Sequence, residues 1–127
     1  MPSSFYFANE IANTYFKGNT PTIPITLYIG LFLSSITRDG TGTEVSAPSY
    51  SRKEIKLTAP TNGIVNNEES VVFDQVQEEW GVITNYGVFD SAVGGNLIFS
   101  DSLLFNDSVS AGETVTIPAL QLQLSIV

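Results

Sequence analysis

The sequence predicts a mostly β chain: a single β-sandwich, jelly-roll or immunoglobulin-like, with one short N-terminal α-helix. Three observations carry this expectation. Apolar residues recur at helical spacing only near the N-terminus, short apolar runs alternate with turn signals from Pro24 onward, and the C-terminal segment alternates with a period of two. The expected organisation is one domain over residues 1–127, with residues 1–18 forming a helix docked on it.

Ser3 or Ser4 can cap the helix, and Ala8, Ile11, Ala12, Tyr15 and Phe16 fall on one face. Lys17 suits the negative end of the helix dipole, Gly18 can stop the helix, and Asn19-Thr20-Pro21 confirms the stop. A helix of about three turns is not stable alone. Its apolar stripe is therefore expected to dock on the chain's own sheet.

The run from Thr26 to Leu33 is apolar on both faces and reads as a central strand. Ser51 to Leu57 alternates, with Ile55 and Leu57 pointing one way and Glu54 and Lys56 the other. Pro60-Thr61-Asn62-Gly63 is a turn, and Ile64-Val65 and Val71 to Phe73 are short strands on either side of Asn66 to Glu69. Val82 to Phe89 reads as a buried strand, joined through Ala92 to Asn96 to Leu97-Ile98-Phe99 as a hairpin. Asn106 to Gly112 reads as a loop. In the last strand Leu120, Leu122, Leu124 and Ile126 form an apolar face, and Gln121, Gln123 and Ser125 a polar one. Both chain ends, Met1 and Val127, are expected to be tied down, with neighbouring subunits as candidate holders.

Composition narrows the function. Of 127 residues, 43% are hydrophobic and 11% aromatic, enough for a real core, while only 14% are charged. Typical soluble domains carry about 25% charged residues, so much of this surface is uncharged and polar. Thirteen acids face five bases, a net charge of −8 that repels phosphate backbones and argues against a nucleic-acid partner. The chain has no cysteine and no histidine. That removes thiolate chemistry, zinc-thiolate sites and the commonest general base. No secretory signal is visible, and the apolar run Ile23 to Leu33 is far shorter than the ~20 residues of a membrane-spanning helix.

Few residues invite chemistry. Asp39 and Glu44 flank a glycine-rich turn that could offer oxygen ligands to Ca²⁺, although an ordinary solvated turn reads better. Asp74, Glu78 and Glu79 precede Trp80, the pattern of a glycosidase in miniature, but an acidic turn before a strand is far commoner. Trp80 reads as core. Gly30 and Gly87 sit inside strands, where a large aromatic from a facing layer could fill the space above each. No catalytic, cofactor or metal residue is assigned. Candidate partner contacts are Arg52, Lys53 and Lys56, three bases clustered in one segment that read as the solvent side of a strand, and Gln121 and Gln123.

Several motifs occur together in order over nearly the whole chain. They are Glu10-Ile11-Ala12-Asn13, Leu27 to Phe32, Gly42-Thr43-Glu44-Val45-Ser46, Tyr50-Ser51-Arg52, Trp80 to Thr84, Gly87-Val88-Phe89-Asp90, Gly94 to Leu97 and Ala111 to Thr114. In these the chain resembles small tailed-bacteriophage virion proteins described as tail-fibre-like or minor tail proteins. Its loops depart from that pattern in carrying more Asn and Glu.

The resemblance implies a non-enzymatic structural subunit of the virion, at the tail, tail fibre or baseplate or decorating the capsid, assembled in the host bacterial cytoplasm. The implied partners are other virion proteins and further copies of the chain, with no cofactor and no membrane insertion. The alternative is a carbohydrate- or receptor-binding module that contacts a host-surface glycan. A glycosidase is the third reading.

Overall fold

Most of the strands read from the sequence are present, joined by more pairing than the sequence discloses. The computed structural model describes residues 3–20, 26–103 and 108–125. In chain order the elements are α1 (Phe5–Tyr15), β1 (Leu27–Phe32), β2 (Lys53–Ile55), β3 (Ile64–Asn66), β4 (Val71–Val72), β5 (Gly81–Val82), β6 (Asn85–Phe89), β7 (Leu97–Ser102), β8 (Ser108–Val109), β9 (Thr116–Ile117) and β10 (Gln123–Ser125). The fold is mostly β with one short helix.

β1 is central, as its two-sided apolar run demands. β2 and β6 flank it and β7 completes an antiparallel sheet of order β2-β1-β6-β7. Alternation sends Ile29, Leu31, Tyr86, Val88 and Phe99 to one face. They form one core with Phe73, Trp80, Val109, Ile117, Leu122 and Leu124, supplied by the paired segments β3–β10, β4–β9 and β5–β8 and their flanks. Each such side chain contributes about 1.5–3 kcal/mol when fully buried. The other face carries a smaller cluster of Phe32, Phe89, Leu97 and Ile36, in which Phe32 and Phe89 stack at 5.9 Å.

Turn chemistry explains the β2-to-β3 connection. Asn62 and Gly63 have φ of 54° and 77°, and Thr61 and Ile64 exchange backbone hydrogen bonds of 2.9 and 3.0 Å. Two successive positive φ values suit the right-handed twist of the flanking strands, and Asn-Gly is the pair that adopts them most readily. Fully buried Asn67 then ties this hairpin to the C-terminal segment. Its amide donates to Pro118 O at 2.9 Å, and its side-chain oxygen accepts from Leu122 N at 2.8 Å.

Four expectations need correction. The strand expected over Val82 to Phe89 is two strands. Thr84 N–H turns to Phe32 O at 3.0 Å, and β5 pairs with β8 instead of joining the sheet. The loop expected over Asn106 to Gly112 contains β8, because Val109 is buried and its carbonyl accepts from Trp80 N at 2.9 Å. Leu120 does not join the apolar face of the last strand. It sits exposed in a turn with φ 66°, its N–H donating to Asn67 O. Tyr15 and Phe16 leave the helix stripe for solvent, at 81% and 86% exposure. The expectations at Met1, Pro21, Pro24, Asn106, Ile126 and Val127 fall outside the described residues.

Candidate functional site

The most highly organised polar group in the structure is built around Arg52. Its Nε and Nη2 donate to the two oxygens of Glu44 at 2.8 and 2.9 Å, a fork-on-fork pair. Its Nη1 donates to the carbonyls of Ser91 and Gly94 at 2.9 and 2.7 Å, in the loop joining β6 to β7. The guanidinium also lies 3.7 Å from the centre of the Phe89 ring.

Tyr50 extends this group into the core. Its ring packs against Phe73 and Trp80, while its hydroxyl donates to Glu44 at 2.5 Å and accepts from Leu31 N at 2.9 Å. That hydroxyl bond falls beyond the point where β2 stops pairing with β1, so it occupies a donor the ladder leaves open. Burial, and then the Glu44 carboxylate, push the Tyr50 pKa far above its ordinary value.

Gly30 makes the arrangement possible. A Cβ there would meet Glu44 Oε2 at 2.6 Å and Tyr50 Oη at 2.9 Å. The aromatic expected over Gly30 is thus Tyr50, arriving with a carboxylate. Gly87 is covered by Phe89 of its own strand and by Leu97 and Ile36.

The sequence-derived contact residues divide. Arg52 does not line the solvent side of a strand as expected. Its side chain is 8% exposed, because Glu44 and two loop carbonyls recruit it inward. Lys53 pairs with Asp74 at 2.9 Å, and Lys56 is exposed. Gln121 and Gln123 are exposed and line one cleft, well separated in sequence from the three bases.

Of the acidic candidates, Glu44, Asp39 and Asp74 have other employment, while Glu78 and Glu79 are exposed. Glu44 is taken by Arg52 and Tyr50. Asp39 accepts hydrogen bonds from Thr37 and Thr41, which hold its carboxyl below the usual carboxylate range. Asp74 is held by Lys53, and Trp80 is buried with its indole N–H on Ser49 at 3.1 Å, so its ring does not face solvent beside Asp74, Glu78 and Glu79. Among the described residues no metal-binding cluster of acidic side chains forms, and no helix is long and apolar enough to cross a membrane.

A different surface went unread in the sequence. α1 packs on β7 with one face half-buried, and its start is anchored by hydrogen bonds. Ser4 accepts from Phe7 N at 3.0 Å and its hydroxyl donates to Leu97 O, Ser4 N donates to Ile98 O at 2.9 Å, and Arg38 donates to Ser3 O at 2.8 Å. No residue of the helix proper is buried. Beneath it runs a largely apolar cleft of about 520 Å³, walled by Phe7, Ile11 and Tyr15 on one side and by Leu57, Val65 and Leu124 on the other. Glu10 and Asp90 stand at its edge.

Comparison with known families is decisive. A protein family described as "Podophage GP4 fiber I protein gp80" matches residues 2–125. The chain belongs to this family. It is a bacteriophage fibre protein, a structural component of the phage tail and hence of the virion. No curated protein matches the chain.

The motifs behind the resemblance gain a physical meaning in this fibre protein. Gly30, Glu44, Tyr50, Arg52, Phe89 and Gly94 come from five separate motifs and meet in the one polar group around Arg52. The fibre protein's recognisable residues thus hold its sheet and loops together. The clefts are lined largely by residues outside those motifs.

Proposed function

We propose that this fibre protein works by packing, as a non-enzymatic subunit that self-associates through the helix α1 and the apolar cleft beneath it. The chain is read as one domain over residues 1–127, a two-layered β-sandwich with the helix as its attachment face. A second copy of the chain is the occupant proposed for the cleft. The observation that carries this reading is the helix itself: eleven residues with none buried, above an apolar cleft, ending in Tyr15 and Phe16 in solvent. Large exposed aromatics beside an apolar groove are what an interface anchor requires.

Charge favours a second copy over another partner. Glu10 lies on α1 at the edge of the cleft, and Lys17 lies in the turn two residues past the end of the helix, so each copy carries an acid and a base beside the proposed contact. Two helices packed antiparallel about a two-fold axis would set each Lys17 against the other copy's Glu10, with Tyr15 and Phe16 of each near the other's cleft. The exposed Lys56 is assigned to contacts with other virion proteins.

Sedimentation equilibrium tests this. Wild-type chain is expected to associate, Glu10→Lys to dissociate it, and Glu10→Lys with Lys17→Glu to restore it. A wild-type chain that stays monomeric, or a double variant as weak as the single one, overturns the reading. Gold-labelled antibody on whole particles gives the position. Label on the tail agrees with a fibre role, and label spread over the head would make the protein a capsid decoration instead.

A further inference from the structure

An asparagine can be modified by its own backbone. The amide nitrogen of the next residue attacks the side-chain Cγ, and a new C–N bond forms. The Cγ–Nδ2 bond breaks, and Nδ2 leaves as ammonia with the proton of the attacking nitrogen. The five-membered imide then takes up one water. Opening at one carbonyl gives aspartate, and opening at the other gives isoaspartate, whose main chain runs through Cβ. A small following residue, an attacking N–H that is not already donating and a side chain that is not held all favour the reaction.

The turn before β3 meets these conditions. Asn62 is the one asparagine in the sequence that precedes a glycine. Asn62 and Gly63 are both exposed. The turn's backbone bonds run between Thr61 and Ile64, and Gly63 N–H donates to no described residue. The side-chain bonds of this hairpin are made by Thr58, Asn66 and Asn67 instead. The other described asparagines are held or hindered. Asn66 and Asn67 donate to Leu122 O and Pro118 O, and the Asn96 amide lies on Asp90 at 3.0 Å. Asn9 and Asn13 lie within α1, where the next N–H belongs to the helix ladder.

Asp39-Gly40 is the internal comparison, because an aspartate before glycine can close the same imide by losing water. Here Gly40 N–H is committed to Thr37 O at 2.9 Å. Hydrogen bonds from the Thr37 hydroxyl and from Thr41 hold the Asp39 carboxyl below the usual carboxylate range, so it stays an anion and resists attack. Of the two sites followed by glycine, one is locked and the other is open.

From this contrast we infer that Asn62 is a spontaneous deamidation site, at which the chain undergoes a slow one-way change. Closing the ring requires Asn62 to leave its left-handed conformation, φ 54°, so the turn opens first. Loop tips are where such local opening costs least. Isoaspartate adds a main-chain atom, and a two-residue turn cannot then keep both Thr61–Ile64 bonds. β3 begins at Ile64, opposite Ser125 of β10, so the loss reaches that pair directly. Either product also brings a new carboxylate to the apolar cleft under α1, which Pro60 and Gly63 help to line and where Glu10 and Asp90 already stand. Weaker self-association of aged chains would follow. That consequence rests on the packing role, and the site itself does not.

The test is incubation of the full chain in warm, mildly alkaline buffer, followed by peptide mapping. Mass spectrometry reads each asparagine, and electron-transfer fragmentation separates isoaspartate from aspartate. Product is expected at Asn62 ahead of every other asparagine, and isoaspartate at Asp39 only after unfolding in urea. Asn62→Gly tolerates the turn's positive φ and removes the reacting amide, so it should give no product there. Hydrogen exchange should show β3 and β10 losing protection in aged wild type and keeping it in aged Asn62→Gly. Asn62 intact in the aged chain, another asparagine reacting first, or Asp39 isomerising as fast in the folded chain overturns the site. Sedimentation of fresh chain reads self-association separately, so failure of one proposal is distinguishable from failure of the other.

Discussion

Gly30 and Gly87 stand directly opposite each other in the β1–β6 ladder, so both lack a side chain at the same place on the same face of the sheet. The covers above them differ. Over Gly30 lie a carboxylate and a phenol fixed by other bonds, while over Gly87 lie the ends of Phe89 and Leu97. Gly30→Ala is therefore expected to destabilise by about 3 kcal/mol and Gly87→Ala by about 1–2 kcal/mol, since only the second set of neighbours can shift cheaply. Urea denaturation of the two variants measures both values, and an order reversed from this one would show that Glu44 yields easily.

Arg52 ties its own segment to Glu44 and to the distant loop between β6 and β7, so its replacement should be felt beyond the ion pair. Arg52→Lys keeps the charge but cannot hold both oxygens of Glu44 and the carbonyls of Ser91 and Gly94 together. A loss of about 2 kcal/mol is expected for Arg52→Lys and about 3–4 kcal/mol for Arg52→Ala, which strands a half-buried carboxylate. Equal stability of Arg52→Lys and wild type in urea would mean that charge alone suffices.

The sequence made the regular parts of this fold readable and left the long-range parts hidden. β1, the β6–β7 hairpin and the Asn62-Gly63 turn follow from local pattern, and all three are present. The break at Thr84 was hidden because a single backbone bond to Phe32 causes it, and nothing local marks that choice. Arg52 looked like a surface base because alternation in a short strand cannot foresee a carboxylate arriving from eight residues earlier. Gln121 and Gln123 could be picked out by their period. Tyr86 lines the same cleft as these two, and only the tertiary fold brings it there. The apolar cleft under α1 was missed for a related reason: an apolar stripe specifies that a helix will dock, and not how closely.

Ser4 concentrates the attachment of α1 in one side chain. It caps the helix through Phe7 N and binds the carbonyl of Leu97, and it is almost fully buried. Ser4→Ala is expected to weaken the helix by about 1–2 kcal/mol. Because the helix buries no residue of its own, the effect should stay local. Amide hydrogen exchange in α1 should speed up about tenfold while β1 and β6 keep their protection. Equal acceleration throughout would show that the helix and sheet unfold as one unit.

Half-buried Tyr50 and buried Tyr86 give the protein an alkaline limit. Burial raises the pKa of both Tyr50 and Tyr86, with a further push from Glu44 on the first and Asp101 on the second. In the unfolded chain each ionises near its ordinary value of about 10. A raised folded pKa means that the stabilisation is complete below that value. It is lost as pH rises toward the folded pKa, because the unfolded state then releases protons that the folded state retains. The expected slope above pH ~10 is about 1.4 kcal/mol per pH unit for each tyrosine. Spectrophotometric titration at rising pH should therefore show Tyr50 and Tyr86 ionising only together with the loss of circular dichroism. Tyr86→Phe should flatten the alkaline slope by about half, since it removes one of the two groups and leaves the ring in place. A titration in which every tyrosine ionises near its ordinary value with the fold intact would rule out the burial on which the core depends.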